Sequence, residues 1–255
     1  MKTMFKSWVF VILIIIIMGS MVFGSVSCCN LFGIGKEQNS GYSISKDNSN
    51  NEESVTVENP VYEDREIKYF FETVFGAEYG DSDYAVHKWA DDIKIGVKGN
   101  PTEEDLETLD EVIFELNYLI DDVNLSIVNR NSNIQLYFDT PSKFSSIEPN
   151  YMPGNSGFFW AWWDGSGNLY KARVLIAAEG ITQDERSHLL WEELTQVLGI
   201  MNDSYEYAES IFYQEWTDVQ GLSEIDKAVV KILYDPRIKS GMSMEEVTEI
   251  LYDKG

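Results

Sequence analysis

Arg186-Ser187-His188-Leu189-Leu190-Trp191-Glu192-Glu193-Leu194-Thr195-Gln196-Val197-Leu198-Gly199 predicts one helix that stops at a glycine. At about 100° per residue, Leu190, Trp191, Leu194, Val197 and Leu198 fall on one face. His188, Glu192, Glu193 and Gln196 fall on the other. The polar side of an amphipathic helix is ordinarily the hydrated one, so this pattern alone requires no active site.

The residues that follow change its meaning. Glu192 to Asn202 fits the frame HExxHxxGxxH, in which helix positions i and i+4 and a third residue past a turning glycine hold zinc. The ligand positions are Glu192, Gln196 and Asn202, the general-base position is Glu193, and the glycine is Gly199. Farther along, Ser210-Ile211-Phe212-Tyr213 stands where metzincins carry their Met-turn, with Phe212 in place of the methionine. Leu222-Ser223-Glu224-Ile225-Asp226 then opens a helix that runs to Leu233-Tyr234. Together these elements resemble metzincin peptidases of the matrixin type. The resemblance spans Trp89 to Met242 and is specific over Leu189 to Met242.

The same stretch is similar to an uncharacterised bacterial family whose domain of unknown function carries EExxQxLGxxND. In that family the signature is followed by a Leu-Tyr-Asp-Pro-Arg and Gly-Met stretch, here Leu233 to Arg237 and Gly241-Met242. The resemblance implies a zincin-like α+β domain: a mixed, mostly parallel sheet, a long backing helix, an active-site-type helix and C-terminal helices. It makes Glu193 the catalytic residue if the protein is active. Glu192, Gln196, Asn202 and Asp203 would line a vestigial cleft.

Zinc sites are built from imidazole, thiolate and carboxylate. The chain has two histidines, His87 and His188, and two cysteines, Cys28 and Cys29, both far upstream of the domain. A three-histidine site is ruled out, as is thiolate ligation within the domain. His188 precedes Glu192 by one turn, so His188, Glu192 and Asp203 form the one alternative metal set the sequence offers, yet Gln and Asn are weak zinc ligands. The expectation is therefore no bound metal and no cofactor, with zinc only if an active, noncanonical site exists around Glu192, Glu193 and Gln196. Adjacent carboxylates on a helix diverge by about 100°, which disfavours a flanking acid/base pair.

Around this segment the chain reads as alternating helix and strand. Asp64 to Phe75 has helical spacing, and Val86 to Val97 holds the alternation of a strand ended by Gly99 and Pro101. Thr102-Glu103-Glu104-Asp105 starts a helix carrying Leu106, Leu109, Val112, Ile113, Leu116, Leu119 and Ile120. Leu125 to Val128 and Asn133 to Phe138 are short strands. Gly157 to Trp163 and Leu169 to Ala177 form a hairpin around Asp164-Gly165-Ser166-Gly167. In the first of these, Phe158, Trp160 and Trp162 share one face, and Phe159 and Trp163 the other. Core packing is the favoured reading for each ring, with grip on an extended peptide or a stacked sugar as the alternative.

Residues 1–27 read as a targeting or anchor segment: Lys2 and Lys6, an apolar run from Trp8 to Ile17, then Gly24-Ser25-Val26-Ser27. Cys28 or Cys29 would carry a lipid anchor, while signal cleavage after Ser27 or an uncleaved anchor are the competing readings. Residues 28–60, rich in Ser, Asn, Gly and Glu, read as a disordered tether, and residues 61–255 as the zincin-like domain. The domain is expected outside the cytoplasm, attached to the membrane through its N-terminus. With 43 Asp and Glu against 19 Lys and Arg, and a net charge of -24, the chain is a poor partner for nucleic acid. An extended peptide or a cell-envelope component is the expected ligand.

Overall fold

A computed structural model of the chain describes residues 2–5, 61–75 and 84–252. Cys28 and Cys29, expected to carry a lipid anchor, the stretch expected as a tether and most of the stretch expected as a targeting segment lie outside the described residues. In chain order the elements are β1 (Lys2–Phe5), α1 (Asp64–Val74), β2 (Lys88–Trp89), β3 (Ile93–Gly99), α2 (Glu103–Leu119), β4 (Leu125–Ile127) and β5 (Ile134–Asp139). They continue with α3 (Pro141–Ile147), β6 (Gly157–Trp163), β7 (Asn168–Ala177), α4 (Gln183–Gln196), α5 (Glu224–Leu233) and α6 (Met244–Tyr252).

The strands form one sheet in the order β1-β6-β7-β5-β3-β4, with β2 pairing β7. Pairings β2·β7, β3·β4, β3·β5 and β5·β7 are parallel, whereas β6 runs antiparallel to β7 and β1 antiparallel to β6. This is the expected α+β domain with a mixed, mostly parallel sheet. Its main core lies on one side, where Ile95, Leu136, Val174 and Phe159 meet Leu109, Val112 and Leu116 of α2 and Leu190, Leu194 and Val197 around α4. A smaller core on the other side joins Phe158, Trp160 and Leu175 to Phe144 of α3 and to Tyr151. The aromatic strand thus packs inward on both faces, and only Trp162 keeps part of its ring accessible.

Local chemistry sets the boundaries. α2, α4 and α5 each begin with a capping box, Thr102 with Asp105, Thr182 with Glu185, and Ser223 with Asp226. The structure revises the sequence in three places. The strand expected over Val86 to Val97 is broken into β2 and β3, because Asp92 turns outward to accept the Asn124 amide and, through its carbonyl, the Asn133 side chain. α4 starts at Gln183, three residues before Arg186, since Thr182 supplies the cap. Finally, Lys2 to Phe5, expected to stay outside the fold, forms β1. It pairs antiparallel with the outer edge of β6, from Lys2 opposite Trp163 to Phe5 opposite Trp160.

Candidate functional site

The polar side of α4 is not hydrated. Every residue from Arg186 to Gln196 is buried, with His188 at 2% exposure, Glu192 at 1%, Glu193 at 2% and Gln196 at 0%. The apolar side faces the sheet and α2. The polar side is closed over by the chain that follows the helix, where His188 and the Gln196 amide find hydrogen-bond partners.

His188 lies against that covering segment, with Nδ1 2.6 Å from the Val219 carbonyl oxygen and its ring edge-on to Trp216. A carbonyl only accepts, so Nδ1 carries the proton in the neutral ring. Nε2 then stands 3.6 Å from Glu192 Oε2. Burial holds the His188 pKa below its ordinary value of 6.5, outweighing Val219 and the nearby carboxylates of Asp218 and Asp203. Gln196 donates from Nε2 to Asp203 Oδ1 at 2.8 Å, while its Oε1 is buried without a hydrogen-bond partner.

Glu193 points to the sheet instead. Its Oε1 occupies the space beside Gly157, 2.7 Å from where a β-carbon on that glycine would stand. Asn202 turns away from α4 altogether, donating to the carbonyls of Phe75 at 3.0 Å and Glu72 at 3.4 Å. Its own amide and that of Met201 both donate to Thr73 O at 2.9 Å, so the end of α1 clamps the loop after α4. Of the residues expected to line one cleft, Gln196 and Asp203 are together, Glu192 adjoins His188 and Asn202 diverges, as does Glu193, the residue expected to be catalytic in an active protein. Among the described residues, no three His, Cys, Asp or Glu side chains converge as a metal-holding group, and His188, Glu192 and Asp203 are no exception.

Gly199 has φ +126, and a β-carbon there would lie 1.8 Å from His87 O. His87 itself is buried, its ring stacked on Trp163 at 4.1 Å. These close approaches explain the glycine that ends the motif better than a turn alone would.

Sequence spacing names Ser210, Phe212, Ser223 and Asp226 but not the network they build. Tyr69 OH donates to Ser210 Oγ at 2.7 Å, and Ser210 Oγ donates to Asp226 Oδ1. Asp226 Oδ2 accepts from Ile211 N, Ser223 N and Ser223 Oγ. Burial raises the Asp226 pKa in spite of these donors, and burial likewise raises that of Tyr69. The network pins the 210–212 turn to α5 and α1, with Phe212 fully buried. The Ser223-x-x-Asp226 capping box is the one element of it visible in the sequence.

The Leu233–Arg237 and Gly241-Met242 stretch is likewise structural glue. Asp235 accepts from Arg237 Nε, Nη2 and backbone N and from Tyr62 OH. Gly241 N donates to Val86 O while Val86 N donates to Met242 O, both at 2.8 Å.

Surface cavities lie among the described residues. One of about 440 Å³ lies between α1 and the loop after α4, lined by Tyr69, Glu72, Glu206 and Tyr207 among others. Another of about 420 Å³ is lined by Lys88, Trp89, Tyr234 and Lys239 among others. There, burial and Lys239 bring Lys88 down to about 8, and its ammonium donates to Leu233 O at the end of α5. Neither cavity is lined by Glu192, Glu193 or Gln196. No helix among the described residues is long and apolar enough to cross a membrane.

Fold and site together define an α+β domain in which a capped, buried helix presents carboxylates and an amide to the chain that closes over it. The chain belongs to the family described as protein of unknown function (DUF2927), whose model matches residues 64–253. No curated protein matches it. Among solved structures it is similar to myroilysin: one at 13% identity and TM-score 0.39, covering 66% of this chain and 93% of that one. A second myroilysin structure has 13% identity and TM-score 0.37, covering 71% and 98%.

Proposed function

We propose that this chain is an extracytoplasmic, membrane-tethered, zincin-like module that binds an extended peptide or envelope component without cleaving it. The single observation that carries the reading is the state of the three ligand positions in the HExxHxxGxxH frame. Gln196 gives its amide to Asp203, Asn202 gives its amide to the carbonyls of α1, and Glu192 sits beside His188. A zinc site needs imidazole, thiolate or carboxylate donors aimed at one point, and this set does not fit one. Without a metal-activated water, the Glu193 carboxylate alone offers no comparable acceleration, which supports recognition rather than hydrolysis.

The recognition element is the outer edge of β6. Its backbone accepts Lys2–Phe5 as an antiparallel neighbour, with Phe5 opposite Trp160 and Lys2 opposite Trp163, which supports strand addition as the binding mode. Removal of a leader ending at Ser27 would take β1 with it and free that edge for an incoming chain. Attachment through Cys28 or Cys29 would then hold the module at the membrane surface.

The test is elemental analysis of the purified chain together with a peptide-hydrolysis assay. The expected result is no stoichiometric transition metal and no turnover. Stoichiometric zinc, with hydrolysis abolished by Glu193→Ala, would overturn the proposal in favour of a noncanonical peptidase.

A further inference from the structure

The cavity of about 420 Å³ at the C-terminal end of α5 brings Lys88 of β2 and Lys239 of the following loop together with Asp122, Ser166, Asn168 and Ser240. Its floor is fixed by the core. Trp89 donates from its indole to Val197 O at 3.0 Å, and the Tyr234 hydroxyl donates to Leu198 O at 3.1 Å while accepting the Trp89 amide at 3.4 Å. Both residues are buried, so the cavity has the preformed character of a small-molecule site.

Lys88 is half-buried in this cavity, its Nζ 5.3 Å from the centroid of the Tyr234 ring. One of its hydrogens goes to Leu233 O at 3.0 Å, and an ammonium carries three, so two remain to be given. Among the described residues, no carboxylate stands at ion-pair distance from Lys88 or Lys239. Asp235 is engaged by Arg237 at 2.6 Å, and Asp122 acts on Lys88 only from longer range. Burial, and after it the charge of exposed Lys239, hold Lys88 at about 8, the mark of an ammonium short of counter-charge.

Two cations against the single carboxylate of Asp122 leave one positive charge in the cavity unanswered, on a chain of net charge -24. We propose that this cavity binds a small hydroxylated monocarboxylate, its carboxylate between Lys88 and Lys239 and its hydroxyls on Ser166, Asn168 and Ser240. One negative charge balances the set. A dianion such as a phosphate monoester would bring surplus negative charge beside Asp122 and the carbonyl end of α5, where the helix dipole opposes it. A neutral sugar would leave the two ammoniums repelling each other. The site is separate from the β6 edge and does not depend on the peptide-binding proposal.

The experiment is calorimetric titration of the full chain with glucuronate, glucose and glucose 6-phosphate at neutral pH. The expected result is saturable binding of glucuronate, at least about tenfold tighter than either of the others. Lys239→Ala, at an exposed position, should weaken it at least about fivefold, and Lys231→Ala, exposed on α5 and outside the cavity, should leave it unchanged. Because the carboxylate is held by charged Lys88, affinity should fall between about pH 7 and about pH 9 as that amine loses its proton. Lys88→Arg, which stays charged throughout, should flatten the profile. No saturable glucuronate binding, glucose or glucose 6-phosphate binding as tightly, equal effects of the Lys239 and Lys231 variants, or an unaltered pH profile in Lys88→Arg would each overturn the proposal.

Discussion

The carboxylate of Glu193 stands in the space that a side chain on Gly157 would fill, 2.7 Å from the position of its β-carbon. Leu189 Cδ2 is equally near, so α4 and the first residue of β6 meet at a contact that only glycine permits. Gly157→Ala should destabilise the domain by about 1–3 kcal/mol through overpacking, measured as a lower urea midpoint at unchanged slope. A midpoint equal to wild type would show that the helix is free to shift.

Gly199→Ala should be the more damaging exchange. Its backbone combines a left-handed φ of +126 with an approach of 1.8 Å between the new β-carbon and His87 O, and backbone cannot rotate away as a side chain can. A loss above about 4 kcal/mol, seen as loss of soluble folded protein, is expected.

Asp203→Ala removes the acceptor for the fully buried Gln196 amide. A buried donor left without a partner costs about 1–3 kcal/mol, which thermal or urea unfolding would register. Gln196→Met, which deletes the polar group together with its unpartnered Oε1, should cost less than Asp203→Ala. The reverse order would mean that Gln196 has a role beyond this hydrogen bond.

His188 is held below its ordinary pKa of 6.5 by burial, so the unfolded chain takes up a proton at higher pH than the folded one. Its contribution to stability is complete above the unfolded pKa and is lost as pH falls through the folded one. Urea midpoints of the wild type should therefore drop from pH 7.5 to pH 5 more steeply than those of His188→Gln. Parallel profiles would assign the acid sensitivity to other groups.

Much of the architecture is legible in local chemistry. The 102–105 turn, the Asp164–Gly167 hairpin and the alternation of Phe158 to Trp163 each encode their element through capping, turn geometry or side-chain period, and all three form as read. The break at Asp92 and the early start of α4 at Gln183 are less legible, because a remote amide and a single threonine cap decide them.

For the site, the amino-acid order by itself established which residue types stand at Glu192, Glu193, Gln196 and Asn202, and that they share a helix-and-turn frame. It could not tell whether the polar side of that helix meets water. Only the tertiary structure decided this: the loop from Asn202 to Val219 closes over α4, buries His188, Glu192 and Gln196, and draws Asn202 toward α1 instead. Helical period fixes the direction in which a side chain leaves its own axis, whereas what waits there depends on chain many residues away.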